Sequence, residues 1–234
     1  MGQRTMIPDP IGNLRHLRNE RSDWLLTVLT GVLILLIFVF APLQAVGITA
    51  FHLFAIGLLL AIIGGMVIIS NSPTALVLMS VALVANIAVF FLRLYYPVAF
   101  HLHILAGAWF VIACTLGIVV TKAVFRGGRV TYHRIVGAIL LYLLIAVAFA
   151  TLFLFVGLSH QGAIKGITFD DDHSVASELF YLSFVTLTST GYGDIIPVHP
   201  FARSLCNIES VIGQVYPATL LARIVTLELR GPSQ

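Results

Sequence analysis

Charge is what this sequence has least of. Asp, Glu, Lys and Arg make up 10% of its 234 residues, 59% are hydrophobic and the mean hydropathy is +1.02. Soluble domains carry roughly 25% charged residues. The shortage excludes a soluble globular fold and points to an integral membrane protein. Runs of basic residues are also missing, and the net charge is only +3, so no nucleic-acid partner is expected. Cysteine is nearly absent. Cys114 and Cys206 each lie inside an apolar stretch with no neighbour at metal-ligand spacing, which excludes a disulfide framework and a redox motif. Each reads as a small hydrophobe.

What is present in quantity is apolar length. A spanning helix needs about 20 mostly apolar residues. Six stretches qualify, at 24–45, 50–69, 73–95, 98–122, 131–158 and 201–228. Basic residues precede the first, but its apolar run from Trp24 to Ala41 exceeds the roughly 7–15 residues of a signal-peptide core. Short loops make the first four spans sequential antiparallel neighbours. Orientation follows from the cations. With both termini cytoplasmic, Arg4, Arg15, Arg18, Arg21, Lys122, Arg126, Arg129, Arg134, Arg223 and Arg230 fall inside, and only Arg93, Lys165 and Arg203 fall outside. That bias requires an even number of crossings, which six spans satisfy. The expected location is the plasma (cell inner) membrane, multi-pass. The expected fold is all-α: six transmembrane helices plus a re-entrant helix and loop. The segments are a cytoplasmic N-terminal piece over 1–23, a four-helix membrane domain over 24–125 and a second membrane domain over 126–230. Within 1–23, Asp9 to Ser22 reads as an interfacial helix, with Asp9 as its cap and Pro10 in its first turn.

Residues 159–200 then lie outside. They contain the apolar run Val175 to Leu187, too short to span but long enough for a half-helix, followed at once by TLTSTGYGD, residues 186–194. Glycine reaches backbone angles closed to other residues. Alternating such residues lets successive carbonyls point the same way. Irregular backbone at membrane depth is tolerated only where protein buries it or water lines it, so these carbonyls are expected to face a water-filled path.

Thr188, Ser189, Thr190, Gly191, Tyr192, Gly193 and Asp194 resemble the selectivity filter of the potassium channel family, whose usual form is Thr-Thr-Val-Gly-Tyr-Gly-Asp. Ser189 stands for the innermost filter threonine and Thr190 for the valine. The resemblance covers about residues 131–228. It implies a homotetramer, since one chain supplies one strand of the filter. Potassium ions would sit at the carbonyls of Ser189, Thr190, Gly191, Tyr192 and Gly193, as permeant ions rather than a cofactor, and no enzyme activity is implied. Asp194 would cap the outer mouth, either as a hydrogen-bonding group behind the filter or as an attractor of cations. Val185 stands where some relatives place a glutamate. Gly213 matches the flexible glycine of the inner helix, and Pro217 follows one turn later. Together they read as a gating hinge, or Gly213 alone as a site of close packing against the half-helix.

The preceding helices have the outline of a voltage-gated channel but lack its charge. Span four, from Val98 to Thr121, contains no Arg or Lys, so steep voltage gating is not expected. Gly127-Gly128 breaks any long linker helix. His52, His101 and His103 begin spans two and four on the outer side, and read as interfacial residues or as a proton or zinc site. Only Gly231 to Gln234 follow span six, so no attached cytoplasmic ligand-binding domain is expected; the other partner is membrane lipid. Two further functions compete with a potassium channel. One is a weakly selective cation channel, because Ser189 and Thr190 alter the filter. The other is a non-conducting membrane scaffold or redox protein.

Overall fold

The computed structural model describes residues 24, 26–47, 73–95, 100–124, 132–169 and 174–229. The second expected span and the N-terminal interfacial helix lie outside the described residues. Six helices are present among those described: α1 over Leu26–Ala45, α2 over Pro73–Tyr95, α3 over Phe100–Val124, α4 over Tyr132–Ser159, the short α5 over Val175–Leu187 and α6 over Pro200–Leu229. Three of them, Leu26–Ala45, Leu102–Lys122 and Ile135–Ser159, are long and apolar enough to cross a membrane. This is a membrane protein. The 30-residue α6 has the length, but Arg203, Asn207, Glu209, Ser210, Gln214 and Arg223 dilute its apolar character.

Close approach sets the packing. α3 runs along α4, and α2 lies against α3. Where the chain turns back into α4, a Cβ on Gly137 would stand 2.9 Å from Val124 Cγ2. Without hydrophobic pressure between helices in lipid, small residues that let backbones approach are what van der Waals packing uses. One core runs from Leu26, Leu29 and Leu33 through Met79 and Ile112 to Leu140 and Leu144. α3 thus packs on α4 of its own chain, and α2 on α3. α1 also reaches α5. It contains a π-turn over Leu36–Phe40, and Phe38 meets the Phe184 ring at 5.0 Å between centroids.

α4, α5 and α6 form a second core around Phe153, Ile164, Leu179, Leu182 and Ala202. Two short strands, β1 at Ile164–Lys165 and β2 at Ile196–Pro197, pair antiparallel, Ile164 with Pro197 and Lys165 with Ile196. The Val198 and His199 N–H groups both donate to the Ala163 carbonyl, at 2.9 and 3.0 Å. This ladder ties the loop after α4 to the chain that leaves residue 194.

Candidate functional site

α5 ends where its carbonyls are taken by the segment that follows. Thr188 N–H donates to Phe184 O, Ser189 N–H to Thr186 O and Thr190 N–H to Val185 O, at 2.8–2.9 Å. These bonds cap the orphan carbonyls of the last turn and lead the chain directly into residues 189–193. There the backbone alternates. Ser189, Gly191 and Gly193 have φ of 56°, 58° and 84°, whereas Thr190 and Tyr192 are not left-handed. Alternating handedness is the pattern that turns successive carbonyls toward one side. Ser189 holds a left-handed conformation that favours glycine, so the alternation begins one residue before the first glycine. Its hydroxyl accepts from Gln214 Nε2 on α6 at 3.0 Å. The Thr188 and Thr190 hydroxyls bond each other at 2.8 Å.

Residues 188–194 are all exposed in the single chain. The Tyr192 ring stacks on Tyr181 of α5, with centroids 6.1 Å apart and planes 6° from parallel. The Tyr181 hydroxyl donates to the Asp194 carboxyl, and this bond holds its pKa below the usual carboxylate value. Asp194 Oδ1 also accepts from Ile195 N–H at 3.0 Å. Asp194 is thus hydrogen-bonded to α5 and to the next backbone N–H while remaining exposed. A depressed carboxyl pKa contributes stability that is complete above the ordinary carboxylate value and is lost as pH falls through the lower folded value. Tyr181→Phe removes the donor. The Asp194 carboxyl should then titrate at higher pH than in the parent protein, followed by infrared difference spectroscopy. An unchanged titration would show that the Tyr181 bond does not hold the carboxyl.

α6 is pressed against the end of α5. A Cβ on Gly213 would lie 1.8 Å from the Leu187 carbonyl oxygen and 2.7 Å from its carbon. Backbone cannot yield as a side chain does. Gly213 therefore packs closely against the end of α5. Pro217 lies within the unbroken α6, exposed and one turn on. Gly213→Ala should push α6 off α5, with loss of folded protein in detergent and a lower Tm than that of a Gly31→Ala control, whose Cβ meets nothing within 4 Å among the described residues.

Other contacts escaped sequence reading. Tyr216 donates to the Ala138 carbonyl at 2.8 Å and stacks on Tyr142 at 5.8 Å. Ser210 donates to Thr186 O at 3.2 Å. Most unexpected is Glu209, fully buried on α6. Its Oε1 is 2.5 Å from Ser183 Oγ on α5, and the same hydroxyl is 2.9 Å from the Ala146 carbonyl of α4. A carboxyl thus reaches Ser183 of α5 from α6. Its signal in the sequence is an acidic residue inside a span, which marks a site by default. Its partner Ser183 carried no signal.

The histidine trio is only partly described. His52 and the side chain of His101 lie outside the described residues. His103 packs edge-on to Phe155 of α4 at 6.4 Å, and its Nδ1 is buried with no hydrogen-bond partner among the described residues. No group of three or more metal-ligating side chains occurs among the described residues.

Residues 137–228 match a family model described as an ion channel. The matched segment takes in α5, the alternating loop and nearly all of α4 and α6, and supports an ion channel function for this chain. No curated protein and no solved structure gives a match.

Proposed function

We propose that this protein conducts potassium ions passively across the membrane as a homotetramer, with residues 188–194 of four chains forming the filter. The observation that carries the reading is the left-handed alternation at Ser189, Gly191 and Gly193 directly after α5. Four such strands around one axis offer rings of carbonyl oxygens that replace the ion's hydration shell. The carbonyls of Thr190, Gly191, Tyr192 and Gly193 supply the upper rings, and Ser189 supplies the innermost. Sodium gains less from the same rings, and several sites in a row let ions repel one another onward. The α5 C-terminus points its partial negative charge at the inner end of the filter, which favours a cation there.

Assembly is supported by what one chain leaves bare. The filter residues are exposed, and so is the stripe Ile208, Val211, Val215 and Val225 along α6. Partner chains around the axis would cover both. Ser189 also favours a second reading, a weakly selective cation channel, because its hydroxyl is held by Gln214 where the family places a threonine. Flux separates the two. Proteoliposomes loaded with potassium should discharge it through this protein, and replacing potassium by sodium should slow the flux strongly. Equal fluxes would favour the second reading, and no flux would overturn both.

Opening should depend weakly on voltage. Each sensing charge is worth roughly 2.3 kcal/mol per 100 mV, and α3 carries only Lys122, in its last turn. A planar-bilayer recording with a gating charge of several units per channel would contradict this.

A further inference from the structure

The mechanism leaves one titratable pair unused. His160 follows the last residue of α4, and His199 precedes the first residue of α6. Their rings lie against each other, tilted, with centroids 4.1 Å apart and planes 33° apart. Both are held by backbone. His160 N–H donates to Val156 O at 3.0 Å, Ala163 N–H donates to His160 O at 3.0 Å, and His199 N–H donates to Ala163 O at 3.0 Å. The β1–β2 ladder closes the same corner. Phe201 covers one side, 6.1 Å from the His160 ring and 5.3 Å from the His199 ring. His160 is exposed, so the pair is open to solvent.

We propose that His160 and His199 form a two-histidine site for a borderline divalent transition-metal ion such as zinc or nickel, with water completing the shell. Imidazole nitrogen suits such ions. A tetrahedral zinc with ligands at about 2.0–2.1 Å requires two nitrogens ~3.3 Å apart. The ring centroids are 4.1 Å apart, so coordination would require the side chains to turn until one nitrogen of each ring converges on the ion. Neither ring nitrogen of His160 is committed to another group among the described residues. His199 Nδ1 accepts from Phe201 N–H at 3.3 Å, which leaves Nε2 to face the metal. Coordination through Nε2 shifts the ring proton to Nδ1 and gives up that long bond, which water replaces at an exposed helix start. The nearest cation in sequence, Arg203, is turned to the Pro197 carbonyl at 3.2 Å. A bound metal would staple the outer ends of α4 and α6 together, beside the strand that leaves Asp194. This site stands independently of the proposed conduction.

The test is zinc titration of the full chain in nanodiscs, by calorimetry after chelator washing. One site per chain is expected, with zinc raising Tm. His160→Ala and His199→Ala should each weaken binding about tenfold or more, whereas His173→Ala should keep it. The double change of both residues to Cys should restore a site that takes cadmium through thiolates, which separates a lost ligand from a misfolded corner. Absence of zinc binding by the parent chain at millimolar concentration would overturn the proposal. So would equal binding by the parent and the double alanine variant.

Discussion

Gly191→Ala or Gly193→Ala is expected to abolish potassium-over-sodium selectivity. The reason lies in the backbone and not in crowding. Among the described residues of one chain a Cβ at either position meets no atom within 4 Å, yet the two residues hold φ of 58° and 84°. Left-handed angles cost an L-residue with a side chain roughly 1–2 kcal/mol each, and the proposed tetrameric filter would incur that cost four times. The cheapest relief is a peptide flip, which would turn a carbonyl away from the proposed ion path. Ser189 supplies the internal control. It already bears φ of 56°, so Ser189→Gly should relax the strand and keep folding intact. Selectivity is read as the ratio of potassium to sodium flux in proteoliposomes. An alanine variant with the parent ratio would defeat the assignment of residues 188–194 as a filter.

Glu209→Ala is expected to be the most damaging change away from the filter, and Glu209→Gln nearly silent. The Ser183 hydroxyl has one hydrogen and two oxygens beside it, the Ala146 carbonyl at 2.9 Å and Glu209 Oε1 at 2.5 Å. Both contacts are satisfied when the carboxyl itself carries a hydrogen and donates to Ser183, which donates onward to Ala146. The chain of bonds then ties α6 to α5 and α5 to α4. Gln keeps the shape and supplies an N–H donor in the same place. Ala leaves a cavity and removes the group that donates to the Ser183 oxygen, which keeps only its bond to Ala146, and an unmet buried partner alone costs about 1–3 kcal/mol. The Ala variant should lose folded assembly on heating well before the parent and lose selective flux with it. If Ala matched the parent in both, or if Gln failed as badly as Ala, the hydrogen-bond chain would not be what joins these helices.

Much of the membrane design is legible because lipid imposes simple rules on local sequence. The half-helix Val175–Leu187 is bounded in the structure as its apolar run suggests, and α1, α2, α3 and α4 follow expected spans within a few residues. The alternation of glycines announced an unusual backbone at 189–193. That Ser189 joins it was hidden, because serine has no general preference for positive φ. Hydrogen bonds from α5 and Gln214 hold it there.

What the sequence determined by itself are properties set by neighbours along the chain. Residence in the membrane follows from apolar length, the half-helix from its bounded run, and the strand of carbonyls from closely spaced glycines. Tertiary structure alone decided which distant side chains meet. Gly213 faces the Leu187 carbonyl, Glu209 reaches Ser183, Tyr181 holds Asp194, and the His160 ring meets that of His199. Each pair joins separate elements through one or two contacts. Helical and alternating periodicities encode the face a residue occupies, but not the partner that another helix brings to that face.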